Sequence, residues 1–453
     1  MTIRSITLYA LALGCLPCLS CERFLEEKPN SSLAIPNSVR DLQAIIDYQA
    51  RMNAYYPPSG DIAADYFYLR DADWQARPEY ARDTYIWQPT VEIEQDWSVS
   101  YQRIFYTNVI LDAIDNALLG GLTETDRQHV KGSALFLRGW TFLQLAQLFV
   151  PPYDAEHEDS PYGLPLRLIP DINAETSRAT IADTYRQIES DLRRAAQLLP
   201  DRALLATRPS RPAAYAALCR MYLAMQRYPE ALAHADSCLN IQSALLDYNT
   251  LDSNANNPFG ELNAEVLFHA SLLGSSGALI PSIARVDTNL YVQYAGDDLR
   301  KRLFFATRTD GSVQFKGSYD GSTSGTFSGL SVDEVYLAKA ECLVRMGDVD
   351  QGMSVLNHLL KTRWPAGAYE PVAWSAADEA LEMVLAERRK QLAFRGGIRW
   401  VDLRRLNMDS RFATTLTRVI NGEIHRLEPG DLRYTFLIPS AVINESGIIQ
   451  NPR

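Results

Sequence analysis

Apolar residues recur at helical spacing along most of the chain. Tyr185, Ile188, Leu192, Ala195 and Leu199 share one face of a segment that runs into Pro200, which predicts an amphipathic helix stopped by a residue that cannot continue it. Residues 135–149 are denser in apolar side chains and predict a deeper helix, while Arg138 and Gln144 within them argue against a membrane span. A hydroxyl three residues before a carboxylate, the pattern of a capping box, occurs at Ser38 and Asp41, Thr123 and Asp126, Thr180 and Asp183, Ser331 and Glu334, and Ser375 and Asp378. One such pair is a weak signal. Five, each heading a periodic segment, predict a mainly α protein.

The most charged of these segments lies near the C-terminus. Leu385, Leu392 and Phe394, then Trp400, Leu403 and Leu406, form two apolar stripes parted by Gly396 and Gly397, so two helices are expected to meet at a glycine corner. The same stretch carries Glu387, Arg388, Arg389, Arg395, Arg399, Asp402, Arg404 and Arg405. A buried corner tolerates that density only if carboxylates and guanidiniums pair. An ion-paired staple between helices is the plainer reading; an anion site is the alternative.

Two segments, near 211–242 and 332–361, share a repeat. Tyr215, Leu218, Cys219, Tyr222, Ala231 and Cys238 stand where tetratricopeptide units place aromatic, Leu and small residues, and Tyr336, Ala340, Leu343, Gly347 and Gly352 follow the same spacing. The units are not tandem, which fits a helical scaffold carrying loops from its helix ends. Loop insertions are expected near 55–97, 151–177 and 272–329, with 309–329 either mobile or a tight hairpin.

The chain has 453 residues, 47% hydrophobic and 22% charged, which describes a folded globular protein. Its 44 basic against 55 acidic residues give a net charge of -11, so nucleic acid is not an expected partner. Arg4 followed by an apolar run to Leu19 predicts a secretion signal over residues 1–20. The spacing of Cys15, Cys18 and Cys21 imitates a metal motif but falls in or beside that removable segment. Residues 21–37 read as a polar tether ahead of a single domain, 38–453. Cys219 and Cys238 are expected as buried thiols rather than a disulfide.

No metal or cofactor is expected. The six histidines are scattered singly, and no H-E-x-x-H, G-x-S-x-G or phosphate-binding glycine loop occurs. Paired carboxylates of a glycoside hydrolase remain an alternative, as does a tetratricopeptide adaptor without small ligand. The positive signal is aromatic. Tyr66, Tyr68, Trp74, Tyr80, Tyr85 and Trp87 crowd one loop-rich span, and flat rings with a polar edge suit sugar faces or peptide side chains. A ligand site is therefore expected between the 55–97 and 272–329 insertions. Trp74, flanked by Asp71, Asp73 and Gln75, is its first candidate; Tyr68, Tyr80, Tyr291 and Tyr294 offer further rings, and Asp65 or Arg285 an orienting charge.

The run ERRKQLAFRGGIRWVDLRR at 387–405 resembles the ER-x-x-E-L-x-F-E-G-x-R-x-x-D-L-x-R signature of the SusD/RagB family, with Gln391 and Arg395 where Glu is usual and one extra residue before Arg399. The start, in which Cys21 precedes Phe24, Leu25, Glu26 and Pro29, is similar to that of mature SusD-like lipoproteins, and Ile438 with Pro439 and Gln450, Asn451 and Pro452 resemble the family's ending. This resemblance implies a SusD-like fold: a tetratricopeptide-type scaffold with an irregular loop-rich half and few short strands. It further implies a non-enzymatic lipoprotein on the outer-membrane surface, acylated at Cys21, with Cys15 the alternative site. Such a protein captures a glycan or a peptide and passes it to a TonB-dependent, SusC-like transporter. The structural corner it implies comprises Glu387, Arg388, Arg399, Asp402 and Arg405.

Overall fold

The computed structural model describes residues 36–272, 277–322 and 325–453; the signal segment, Cys21 and most of the tether lie outside them. The scaffold is a row of antiparallel helices: Glu94–Ala113, Glu124–Phe149, Ile181–Leu198, Arg211–Ala224, Tyr228–Leu239, Val332–Arg345, Val349–Leu360 and Ala377–Gln391. Each packs against its neighbour in the row. The two repeat-bearing pairs are far apart in sequence but adjacent in space, because Tyr228–Leu239 lies directly against Val332–Arg345. Everything between them leaves the row and returns to it. Cys219 and Cys238 are buried free thiols at this junction, as is Cys342.

Glu124–Phe149 runs through the centre, and from Gly132 onward every residue is buried. Its Arg138 survives there because Asp191 of the next helix accepts two of its hydrogen bonds, at 2.8 and 2.7 Å. Gly139 lets the two helices close up: a Cβ there would stand 3.0 Å from that of Asp191.

The helix starts follow the capping pattern unequally. Ser38 with Asp41 and Thr123 with Asp126 form reciprocal boxes, and Thr180 accepts from the Asp183 N–H. Ser331, however, gives its hydroxyl to Asp333 rather than to the helix, because that carboxylate organises a buried network. The helix Ala377–Gln391 begins one residue later than expected, so Ser375 meets Glu379 instead of Asp378.

Among the described residues the strands form four antiparallel pairs: Phe67–Tyr68 with Arg285–Val286, Val266–Phe268 with Leu330–Ser331, Phe305–Thr307 with Val313–Phe315, and Leu416–Ile420 with Glu423–Leu427. The third pair makes the start of the 309–329 segment a tight hairpin turning at Gly311, φ 79°. The irregular half has its own aromatic core, in which Tyr66, Phe67 and Tyr85 of the first insertion meet Tyr294, Phe304, Phe305, Phe315 and Tyr319 of the second.

The glycine corner joins the two cores. Ala377–Gln391 and Ile398–Leu406 flank it, and Gly397 takes φ 77°, a left-handed value that a residue with a Cβ adopts only under strain. Before the turn, Phe394 stacks between Tyr66 at 5.4 Å and Phe315 at 4.6 Å in the irregular half. After it, Trp400 is fully buried in the scaffold against Tyr434 and Phe436. Burying rings of this size stabilises by roughly 2–3 kcal/mol each, so the corner fastens both halves at once. The C-terminus is pinned to the same scaffold: buried Asn451 donates to Phe149 O and Phe436 O at 2.9 and 2.7 Å.

Candidate functional site

Most of the corner's charges are consumed by pairing; Arg404 instead donates to the Gln147 and Val150 carbonyls. Asp402 accepts from Arg388 Nε at 2.9 Å and Arg405 Nε at 2.8 Å, and Arg405 also grips Glu341 through both terminal nitrogens, at 2.6 and 2.8 Å. Arg399 makes a two-pronged contact with Asp65, at 2.6 and 2.8 Å, while Glu387 accepts from Arg300 at 2.7 Å. Burial alone would raise these carboxyls. The adjacent guanidiniums instead hold Asp402 and Glu341 below the usual range, and Asp65 well below it. Carboxylates tied down in this way staple the helices together.

Beyond the corner, two clefts open on the irregular half, and Tyr68 lines both. Its ring is held out by the short strand it shares with Phe67: side chains alternate along a strand, so Phe67 is buried while Tyr68 is 37% exposed. The first cleft, of about 400 Å³, lies between Tyr68 and Arg70 of one insertion and Arg285, Thr288, Tyr291, Asp310 and Ser312 of the other. Its charges balance. Buried Arg285 donates to Asp73 at 2.7 Å and lies 3.7 Å from Asp310, and Arg70 reaches both acids at 3.4 Å.

The second cleft, of about 440 Å³, is walled by Asp65, Tyr85, Trp87, Asp287, Asn289, Arg389 and, from the strand Leu416–Ile420, its first four residues. Arg418 on that strand is buried, donates to the carbonyls of Tyr85, Ile62 and Ala64, and lies over the Tyr85 ring at 3.6 Å and Trp87 at 4.6 Å. With no carboxylate bonded to it, burial pushes its guanidinium down to about 10.

The expected site residues separate on this geometry. Tyr68, Arg285 and Tyr291 line the first cleft, and Asp65 and Tyr68 the second. Trp74 belongs to neither wall: it is half-buried on the aromatic core, its Nε1 donates to Arg82 O at 3.1 Å, and the Arg82 guanidinium covers it at 5.7 Å. Tyr80 is also half-buried and lines neither cleft. Tyr294 offers no face, because it is 1% exposed, packs edge-on to Phe305 at 5.0 Å and donates to Lys390 O at 2.8 Å. Tyr66, Tyr85 and Trp87 are likewise core residues. Tertiary packing, not local composition, decided which rings stay outside.

Sequence reasoning overlooked Arg70, Asp310 and the whole strand from Leu416 to Ile420. A signal existed for two of these walls. Asp310 precedes Gly311, and Asn421 precedes Gly422 between alternating runs, with φ values of 50° and 81° at the latter turn. Such dipeptides mark hairpin turns in which the glycine takes left-handed backbone.

Known proteins bear on this architecture in two ways. The profile described as "Starch-binding associating with outer membrane" matches residues 23–223, and the SusD family profile matches residues 332–428; between them they cover well over half of the chain. The chain belongs to the SusD family. Among solved structures, a SusD superfamily protein of Bacteroides thetaiotaomicron is 22% identical with a TM-score of 0.75, covering 92% of this chain and all, 100%, of its own. A SusD-like carbohydrate binding protein of Bacteroides vulgatus is 17% identical with a TM-score of 0.68, covering 91% and 97%. A SusD superfamily protein of Bacteroides fragilis is 19% identical with a TM-score of 0.71, covering 91% and 99%. These likenesses show the fold. Among curated proteins the chain has no match.

Proposed function

We propose that this protein is a lipoprotein, acylated at Cys21 and displayed on the outer-membrane surface, that binds a nutrient and delivers it to a TonB-dependent, SusC-like transporter. The nutrient is a glycan in this reading, with peptide the alternative, and the binding site is the pair of clefts around Tyr68. The observation that carries it is that exposed ring, shared by two clefts whose walls hold Thr288, Asn289, Ser312 and Thr417. A ring face dehydrates the carbon-hydrogen face of a sugar while hydroxyl and amide groups around it take up hydroxyl hydrogen bonds. The family's description as starch-binding at the outer membrane, and the related B. vulgatus protein's as carbohydrate binding, support the same assignment.

Binding rather than hydrolysis is supported by where the unusual acids lie. Asp61 and Asp96, which burial raises to about 7, line neither cleft, whereas Asp65 in the second cleft is pinned ionised by arginines and is a poor proton donor.

A glycan and peptide array followed by calorimetry tests the assignment. Tyr68→Ala is expected to weaken the best ligand about fivefold, on the order of 1 kcal/mol for one stacking ring, with an unchanged melting temperature. Full affinity in a folded Tyr68→Ala protein would move the site elsewhere, and product release from the bound glycan would replace the binder with a hydrolase. For the anchor, Cys21→Ala is expected to release the protein from the membrane fraction.

A further inference from the structure

The two clefts differ in how their charges are paired. In the first, Arg70 and Arg285 face Asp73 and Asp310, two cations against two anions. At the second, Asp65 is shared by Arg399, at 2.6 and 2.8 Å, and Arg389, at 3.0 Å, so both of its oxygens are taken. Arg418, also lining this cleft, donates to backbone carbonyls alone and lies over the Tyr85 and Trp87 rings. The other acid lining the cleft, Asp287, spends one carboxyl oxygen on the Leu290 N–H at 3.0 Å. Arg389 and Arg399 thus share one carboxylate, while Arg418 has no carboxylate within salt-bridge distance among the described residues. Arg389 Nε is buried without a hydrogen-bond partner among the described residues, as Arg285 Nε is in the first cleft.

Resting on the glycan-binding reading above, we infer that the second cleft selects saccharides bearing an anionic group, a ring carboxylate or a sulfate. The anion sits between Arg389 and Arg418, and its sugar ring lies on Tyr68. A charged acceptor makes guanidinium hydrogen bonds roughly twice as strong as neutral ones, and the low-dielectric wall made by Tyr85 and Trp87 preserves that advantage. The protein's net charge of -11 does not cancel it. Charges are screened beyond about 8 Å at physiological salt, so a ligand inside the cleft responds to the arginines beside it.

Calorimetry with three probes decides the matter: oligogalacturonate for carboxylate, chondroitin sulfate oligosaccharide for sulfate, and malto-oligosaccharide as the neutral control. At least one acidic probe is expected to bind tenfold or more tightly than the neutral one, to weaken several-fold between 50 and 500 mM salt, a range chosen to span roughly 13 to 4 Å of screening length, and to lose about tenfold in Arg389→Gln. Should that variant fail to fold, the salt dependence of the wild type decides alone. Acidic binding that ignores both salt and Arg389, or binding of the neutral probe only, overturns this inference and leaves the glycan-binding assignment standing. Binding of no saccharide across a full array overturns both.

Discussion

Asp61 and Asp96 make the stability of this protein depend on pH in a way that one substitution isolates. Both are 5% exposed, and burial raises each carboxyl from 3.8 to about 7. Asp61 accepts from the Gly397 N–H at 2.8 Å, so the pair lies beneath the corner that joins the two halves; Asp96 accepts from Ser59 N at 3.2 Å. Between roughly pH 4 and pH 7 the folded state holds protons that the unfolded chain has released. The unfolded state then binds fewer protons, and stability falls as pH rises through that window, levelling off above it. A shift from 3.8 to about 7 corresponds to roughly 4 kcal/mol for one acid as a ceiling, and relaxation around the ionised carboxylate brings the expected value to about 2 kcal/mol. Asp96→Asn retains the acceptor for Ser59 and cannot ionise. Urea denaturation of both proteins at pH 3.5, 5, 6.5 and 8 is the assay. The variant should match the wild type within about 0.5 kcal/mol at pH 3.5 and exceed it by about 2 kcal/mol at pH 8. His234, which burial lowers to about 4, tilts both curves in the opposite sense below pH 6.5 and drops out of their difference. Parallel curves would refute the reasoning, because they would mean that Asp96 ionises as easily folded as unfolded.

Trp74→Ala should cost about 2 kcal/mol of stability, seen as a lower melting temperature, while ligand affinity by calorimetry stays within twofold; a large affinity loss would return Trp74 to the site. Asp402→Asn leaves Arg388 without its carboxylate and should destabilise by about 3–5 kcal/mol in urea denaturation. A cost below about 1 kcal/mol would show that the corner's ion pairs are not what fastens the helices.

The helices and their order were legible because amphipathic periodicity is a local property: the same side chains that define the stripe are the ones buried. Tyr185, Ile188 and Leu192 are all in the core, as the pattern requires. The site was legible only in outline. Tyr68, Trp74 and Tyr294 are all rings near polar neighbours, yet one is exposed, one half-buried and one enclosed. Their fates depend on which partner each meets, and those partners, such as Phe305 and Arg82, belong to other segments or to the next turn.

The sequence by itself determined the helical scaffold, the glycine corner and the family, since each is carried by residues close together in the chain, where spacing and turn chemistry suffice. Only the tertiary structure decided that the two repeat units stack directly, that Phe394 and Trp400 bind different cores, and that Asp65, Arg389 and Arg418 converge on one cleft. Arg389 and Arg418 are separated in the chain by the glycine corner and the Ile398–Leu406 helix, and Asp65 comes from the far end of the chain. Their charge balance is a sum over distances of a few ångströms in space, and Coulombic and packing energies depend on those distances rather than on separation in sequence.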